Sequence, residues 1–228
     1  GECGYQGLKF CNTEEIGKLA SDWAHGGKEE KNESAAKNST DPRSRQELLQ
    51  YYLELTFNPN TAQKNLWLSE GNRKIIRREE TCPYPQRPER FEYIPQVLCK
   101  ESLYGGCFYW EVELKGGADI GVTYENIGRK GSDGCCGLGE SETSWSFGWD
   151  GSSYRVWHNS KSEEINAPPS PHIGIYLDYN NGSLHFYGVS PGSESEIVLL
   201  YQFKAVFTEP LYPCFWVGAN TSIFLCKP

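Results

Sequence analysis

Methionine is missing from all 228 residues, although translation starts with one. The chain is therefore expected to be a fragment or a processed piece of a longer protein. The absence of a basic and apolar leader at Gly1-Glu2-Cys3-Gly4 then says little about compartment. No stretch approaches the roughly 18 unbroken apolar residues that cross a bilayer as a helix, so direct membrane insertion is not expected. Positive charge is short as well: 22 Lys and Arg against 30 Asp and Glu leave a formal net charge of −8. A phosphate-backbone binder needs the opposite balance, and nucleic acid is not an expected partner. Histidine occurs only as His25, His158, His172 and His185, no two spaced as ligands on one helix or turn. The nine cysteines include no C-x-x-C pair. Neither a metal nor a cofactor is expected from these spacings.

Those cysteines (Cys3, Cys11, Cys82, Cys99, Cys107, Cys135, Cys136, Cys214, Cys226) are odd in number and irregularly spaced, and they read as buried reduced thiols. The vicinal pair Cys135-Cys136 is a redox candidate, but neighbouring cysteines rarely bridge without strain. Sequons stand at Asn32, Asn38, Asn181 and Asn220. Such triplets arise by chance in Asn- and Ser-rich loops.

What is abundant is aromatic side chains, at 14%, with 24 glycines and 13 prolines. Flat rings suit pleated surfaces, and Gly and Pro suit tight turns, so many short strands are expected. Residues 1–25 read as a short N-terminal segment, the possible tail of an upstream domain, with a helix over Glu14–Trp23. Residues 26–41 hold only Ala35 and Ala36 as apolar side chains and read as a flexible linker. Asp41-Pro42 then reads as a helix start leading into SRQELLQYY.

Beyond it the apolar period becomes two. Leu53, Leu55 and Phe57 predict one strand, Leu66 and Leu68 a second. Cys107 to Leu114 predicts a strand with Trp110 and Val112 on one side and Glu111 and Glu113 facing solvent. GIYLDY, Asn180-Asn181-Gly182 and SLHFYGV predict a hairpin whose Asn-Gly supplies positive φ. Further strands are expected near Thr143–Phe147, Tyr154–His158, Ile197–Phe203, Pro213–Gly218 and Ser222–Cys226. With no alternating helices to cover a parallel sheet, the fold class is all-β, a two-sheet antiparallel sandwich.

Catalytic patterns fail on physical grounds. Gly188-Val189-Ser190-Pro191-Gly192 fits the nucleophile elbow by letter, but Pro191 has no N–H for an oxyanion hole, and no histidine follows His185. It reads as a turn after a strand. Glycines from Gly128 to Gly139 read as a flexible surface loop, with no helix behind them to meet a phosphate. Pro85-Gln86-Arg87-Pro88 matches PxxP and reads equally well as a proline-rich loop. The remaining signal is aromatic: Trp145, Phe147, Trp149, Tyr154 and Trp157 crowd around Asp150-Gly151-Ser152-Ser153. Strand parity does not admit all five to one core. Trp145 and Trp157 are expected inside, and at least one of Trp149 and Tyr154 partly outside, where a rigid ring makes an interface anchor.

Taken together, LTFNPNTA (Leu55–Ala62), LSEGNRK (Leu68–Lys74), PYPQRPERF (Pro83–Phe91), QVLCKESL (Gln96–Leu103), YWEVEL (Tyr109–Leu114), DIGVTY (Asp119–Tyr124), YLDYNNGSLHFY (Tyr176–Tyr187) and FTEPLYPCF (Phe207–Phe215) resemble a PRY-SPRY (B30.2) domain. The usual Leu-Asp-Pro of the PRY half is Phe57-Asn58-Pro59 here. Several blocks are similar to fish sequences in which this domain closes tripartite-motif (TRIM, finTRIM) proteins, NACHT-type immune receptors and stonustoxin-like cytolysins.

The resemblance implies a bent, concanavalin-like jelly-roll sandwich of about thirteen strands with a short helical N-terminal extension. Residues 42–95 would be the PRY half and 96–228 the SPRY half. It implies a protein ligand of unknown identity held by loops at one edge of the sheets, with no catalysis; ubiquitin ligation in TRIM proteins belongs to a RING. Carried over by position, the ligand-binding residues would be Tyr93, Glu125, Trp149, Tyr154, Trp216 and Asn220. The implied role is target recognition in innate immunity from a cytoplasmic TRIM-like parent, with any oligomerisation belonging to regions outside this chain. The alternatives are a NACHT-type receptor or a secreted toxin subunit.

Overall fold

A computed structural model of the chain describes residues 41–192 and 196–228. The expected helix over Glu14–Trp23, the linker up to residue 40, Cys3, Cys11, His25 and the sequons at Asn32 and Asn38 lie outside the described residues. Among the described residues, a single helical turn, α1 (Arg45–Leu49), is followed by thirteen strands. They are β1 (Leu66–Ser69), β2 (Lys74–Arg77), β3 (Gln96–Leu98), β4 (Cys107–Lys115), β5 (Ala118–Tyr124), β6 (Ser144–Trp149) and β7 (Tyr154–His158), then β8 (Lys161–Ile165), β9 (His172–Asp178), β10 (Ser183–Val189), β11 (Ile197–Lys204), β12 (Leu211–Val217) and β13 (Ser222–Leu225). One sheet runs β1-β2-β13-β4-β9-β10-β11 and the other β3-β12-β5-β6-β7-β8. Every pair of neighbouring strands is antiparallel. The all-β sandwich is the fold.

Between the sheets, alternate residues interdigitate in one core. Trp110, Val112, Ile175, Leu184 and Phe186 come from the first sheet, and Ile120, Val122, Trp145, Phe147, Tyr154 and Phe215 from the second. Phe147 and Phe186 stack across the gap with centroids 4.9 Å apart. Four of the five crowded aromatics, Trp145, Phe147, Trp149 and Tyr154, pack in or against this core. The parity of β6 and β7 thus serves one core better than the spacing suggested. Trp157 has the opposite parity and is buried on the outer side, beneath Gly139.

Several expectations need correction. Leu53–Phe57 forms no strand; it is extended chain touching the sheets by isolated bridges at Tyr52 and Phe57. The helix starts at Ser44 rather than Asp41, because Ser44 Oγ accepts the Glu47 amide at 3.2 Å, while the Glu47 carboxylate accepts the amide of Arg43, one residue ahead of the cap, at 2.8 Å. In the β9–β10 turn only Gly182 takes positive φ, at 65°, and it closes a four-residue loop through Gly182 N–H to Tyr179 O at 3.2 Å. The glycine-rich segment is not all surface, since Cys136 to Glu140 are buried.

The largest departure is Glu111. It does not face solvent: it is 1% exposed on the outer side of β4. Residue α1 Arg45 covers it, with Nε 2.6 Å from Oε1 and a second nitrogen 3.1 Å from Oε2. Tyr109 Oη donates to Oε1 at 2.8 Å, and His172 Nε2 lies 2.9 Å from Oε2. Around them Leu48, Tyr109, Tyr176 and Tyr187 form a second small core under the helix. A carboxylate with this many donors is a satisfied structural anchor.

Candidate functional site

Strand register decides where each candidate side chain points. Val217, Ala118, Trp149 and Tyr154 are successive Cα partners across β12, β5, β6 and β7, so they share the inward side. One residue back, Gln96, Trp216, Asp119, Gly148 and Arg155 make the corresponding row on the outer side. Trp149 closes the inward row at the sheet end, half-buried against the core. Its ring rests on Tyr154, with centroids 4.7 Å apart.

Tyr154 itself is 1% exposed. Its Oη donates to Ser170 O at 3.1 Å and accepts the Ser170 amide at 2.6 Å. So enclosed, the ring does not present the exposed surface expected of a direct contact. Its contribution is to support Trp149.

The loop between these two strands is fixed by one carboxylate. Asp150 Oδ1 accepts the amides of Ser152 (2.8 Å) and Ser153 (2.9 Å) and the Ser152 hydroxyl (2.9 Å). Partial burial works against the charged form, yet these Ser153 and Ser152 donors hold the Asp150 carboxyl below its usual range. The result is a pre-shaped loop tip beside Trp149.

Asn220 lies at the same end. It is exposed in left-handed backbone with φ 55°, a conformation asparagine tolerates. Its turn is joined to the β4–β5 turn by Gly218 N–H to Gly117 O at 2.9 Å, and Gly117 abuts the Trp149 carbonyl. Trp216 is half-buried on the outer row, one residue from this end. Tyr93 is 49% exposed in the segment entering β3, where Pro95 O accepts the Val217 amide at 3.0 Å. Trp149, Trp216, Asn220 and Tyr93 therefore belong to one end and the adjoining outer face.

Glu125 does not join them. It follows the last residue of β5 while Trp149 pairs with the first, so the length of that strand, about 20 Å, separates them. Glu125 instead borders an open depression with Asn126, Glu209, Pro210 and Tyr212. Arg129 ties its carbonyl at 2.9 Å.

Sequence reasoning missed the outer row itself, including Asp119 and Arg155. The signal was available, since alternation along β5 and β7 assigns them to the face opposite the core. Ser190, the lettered nucleophile, sits in the β10–β11 turn with its amide donating to Glu196 O at 2.9 Å, as a turn after a strand requires. Among the described residues no helix is long and apolar enough to cross a membrane.

Comparison with known proteins places this arrangement. The PRY model, described as the SPRY-associated domain, matches residues 55–103, and the SPRY domain model matches residues 107–227. Tripartite motif-containing protein 16 of Mus musculus is 38% identical over 180 residues, covering 78% of this chain and 32% of that protein. Stonustoxin subunit beta of Synanceia horrida is 38% identical over 179 residues, covering 77% of this chain and 25% of that protein. The chain thus spans a third or less of the length of these curated relatives. Among solved structures, the stonustoxin structure superposes with a TM-score of 0.75 at 36% identity, covering 80% of this chain and 30% of that one. The TRIM65 PSpry domain gives 0.73 at 29% identity, covering 81% and 96%. The matched segments, the two-sheet topology and these relatives agree: the chain belongs to the SPRY family and carries a PRY-SPRY (B30.2) domain.

Proposed function

We propose that the chain recognises a protein ligand with the Trp149 end of the six-stranded sheet and the adjoining outer face, and performs no catalysis itself. The observation that carries this reading is the half-buried Trp149 held on the buried Tyr154 ring beside the Asp150-fixed loop. A ring so supported offers contact area with little rotational entropy left to lose on binding. Trp216 and Tyr93 extend the aromatic area, and Asn220 gives a polar rim. Glu125, at the other end of β5, stands outside this surface.

In this reading the parent is a TRIM-like ubiquitin-ligase protein of innate immunity, working in the cytoplasm, with the domain choosing the target. A second reading, a secreted pore-forming toxin subunit, draws support from the 38% identity to stonustoxin subunit beta. Sequence upstream of Gly1 separates them: RING, B-box and coiled-coil heptads against a cytolysin architecture.

The binding surface is tested by photo-crosslinking. A benzophenone amino acid at Tyr93 or Asn220 is expected to capture the same polypeptide from cell extract. The same probe at Lys227, on the other sheet's side, is expected not to. Equal capture from all three positions, or capture only from Lys227, overturns the assignment.

A further inference from the structure

Adjacent residues in extended chain point to opposite sides, so two neighbouring cysteines ordinarily diverge. Cys135 and Cys136 do not. They occupy the end of a tight turn closed by Cys136 N–H to Asp133 O at 3.0 Å, and their sulfurs lie 3.9 Å apart. Asp133 Oδ1 sits 2.8 Å from the Cys135 sulfur, and among the described residues this is the one group of three potential metal-ligating side chains with ligand atoms within 4.8 Å of one another.

The backbone under the sulfurs is fixed from both sides. Gln96, fully buried on β3, donates to Cys136 O at 2.8 Å and accepts the Leu138 amide at 2.8 Å. The Gly128 amide donates to Cys135 O at 2.9 Å. Leu138 plugs a small core with Phe91, Leu98, Ile127 and Cys214. Space beside the sulfurs is kept by glycine, since a Cβ on Gly128 would stand 2.5 Å from the Cys136 sulfur and 3.3 Å from that of Cys135. Cys135 and Asp133 are exposed, which gives an entry path.

We infer that Asp133, Cys135 and Cys136 form a binding site for a thiophilic divalent cation of the zinc class. Two sulfurs bound tetrahedrally at about 2.3 Å stand about 3.8 Å apart, close to the separation already present. The carboxylate oxygen has to move outward to about 3.5 Å from the Cys135 sulfur to reach the same ion, a change open to an exposed side chain. Two sulfurs and one oxygen suit zinc and exclude magnesium and calcium, which take oxygen alone. On binding, each thiol loses its proton to solvent, the ion gives up bound waters as two sulfur–metal bonds and one oxygen–metal bond form, a water keeps the fourth position, and the Asp133–Cys135 hydrogen bond breaks; no oxidant or reductant takes part. The C-x-x-C search passed over this site because the ligands are packed into D-x-C-C, a spacing that works only in a turn.

The test uses the full chain, reduced and metal-free, titrated with cobalt(II) as a spectroscopic probe and then with zinc(II). One equivalent of cobalt is expected to raise thiolate-to-cobalt absorption, and zinc is expected to abolish it. C135S is expected to weaken binding at least about 100-fold without changing thermal unfolding, because the sulfur is exposed. G128A, which removes no ligand, is expected to weaken it by about 10-fold by crowding Cys136. Absorption that persists unchanged in C135S, or a chain that develops none at one equivalent of cobalt, overturns the site.

Discussion

The ring of Trp149 lies against that of Tyr154, with centroids 4.7 Å apart and planes tilted by 55°. One ring is half in solvent and the other wholly inside. The pair divides the work: the inner ring fixes the direction of the outer one. W149A is expected to abolish crosslinking from Tyr93 and Asn220 and to cost about 1–2 kcal/mol, less than a full core truncation. Y154F is expected to cost about 1–2 kcal/mol through its lost Ser170 hydrogen bonds while retaining partner capture. Urea unfolding and the crosslinking assay separate the two effects.

Glu125 and Trp149 sit at opposite ends of β5. E125A is expected to leave partner affinity unchanged and, combined with W149A, to add nothing to that variant's loss, with a coupling energy within about 0.5 kcal/mol of zero. A double-mutant cycle on partner affinity measures it. A coupling of 1 kcal/mol or more would place both residues in one site.

The Glu111 cluster makes stability depend on pH. Burial would raise the Glu111 carboxyl, but hydrogen bonds from His172, Arg45 and Tyr109 hold it at about 2, below its ordinary 4.5. Its contribution is complete above about pH 4.5 and is lost as pH falls through about 2. The Cys226 sulfur and the Glu111 carboxylate beside His172 push that imidazole up from 6.5 to about 9. That contribution is complete below about pH 6.5 and is lost as pH rises through about 9. Between about pH 4.5 and 6.5 both are present, and the melting temperature is expected to plateau there. E111Q is expected to flatten both slopes and to cost about 2 kcal/mol. This is less than a fully buried pair, because Arg45 and His172 keep 23% and 30% side-chain exposure. Melting curves across pH check it.

Gly182 carries φ 65°, and a Cβ there would collide with the Ala205 carbonyl. G182A is expected to cost about 2–3 kcal/mol, and Asn at this position, though tolerant of the dihedral, is expected to do no better. Chemical denaturation of both variants gives the answer.

The strands were legible because their period survives in the letters: Tyr154–His158 begins and ends where the alternation does. Leu53–Phe57 alternates equally well, yet it lies beside the sheets with one isolated bridge at Phe57 and another just ahead of it at Tyr52, and no local signal distinguishes pairing from lying alongside. Glu111 was misread for a related reason. Alternation placed it on the outer face correctly, but burial there depends on Arg45, Tyr109 and His172, and Arg45 and His172 arrive from 66 and 61 residues away. For the proposed recognition surface, the aromatic crowding near Asp150 was visible in the sequence. That Tyr154 turns inward and Glu125 lies a strand-length off follows only from register.

The order of the larger sheet carries a consequence for biosynthesis. β13 lies between β2 and β4, so the two earlier strands have no bond to each other and are joined only through Ser222–Leu225. During translation, the PRY hairpin of β1 and β2 must wait, with Ile75 unsheltered, until Ser222–Leu225 has left the ribosome. A stop codon ahead of Ser222 would leave a split sheet rather than a slightly shorter one.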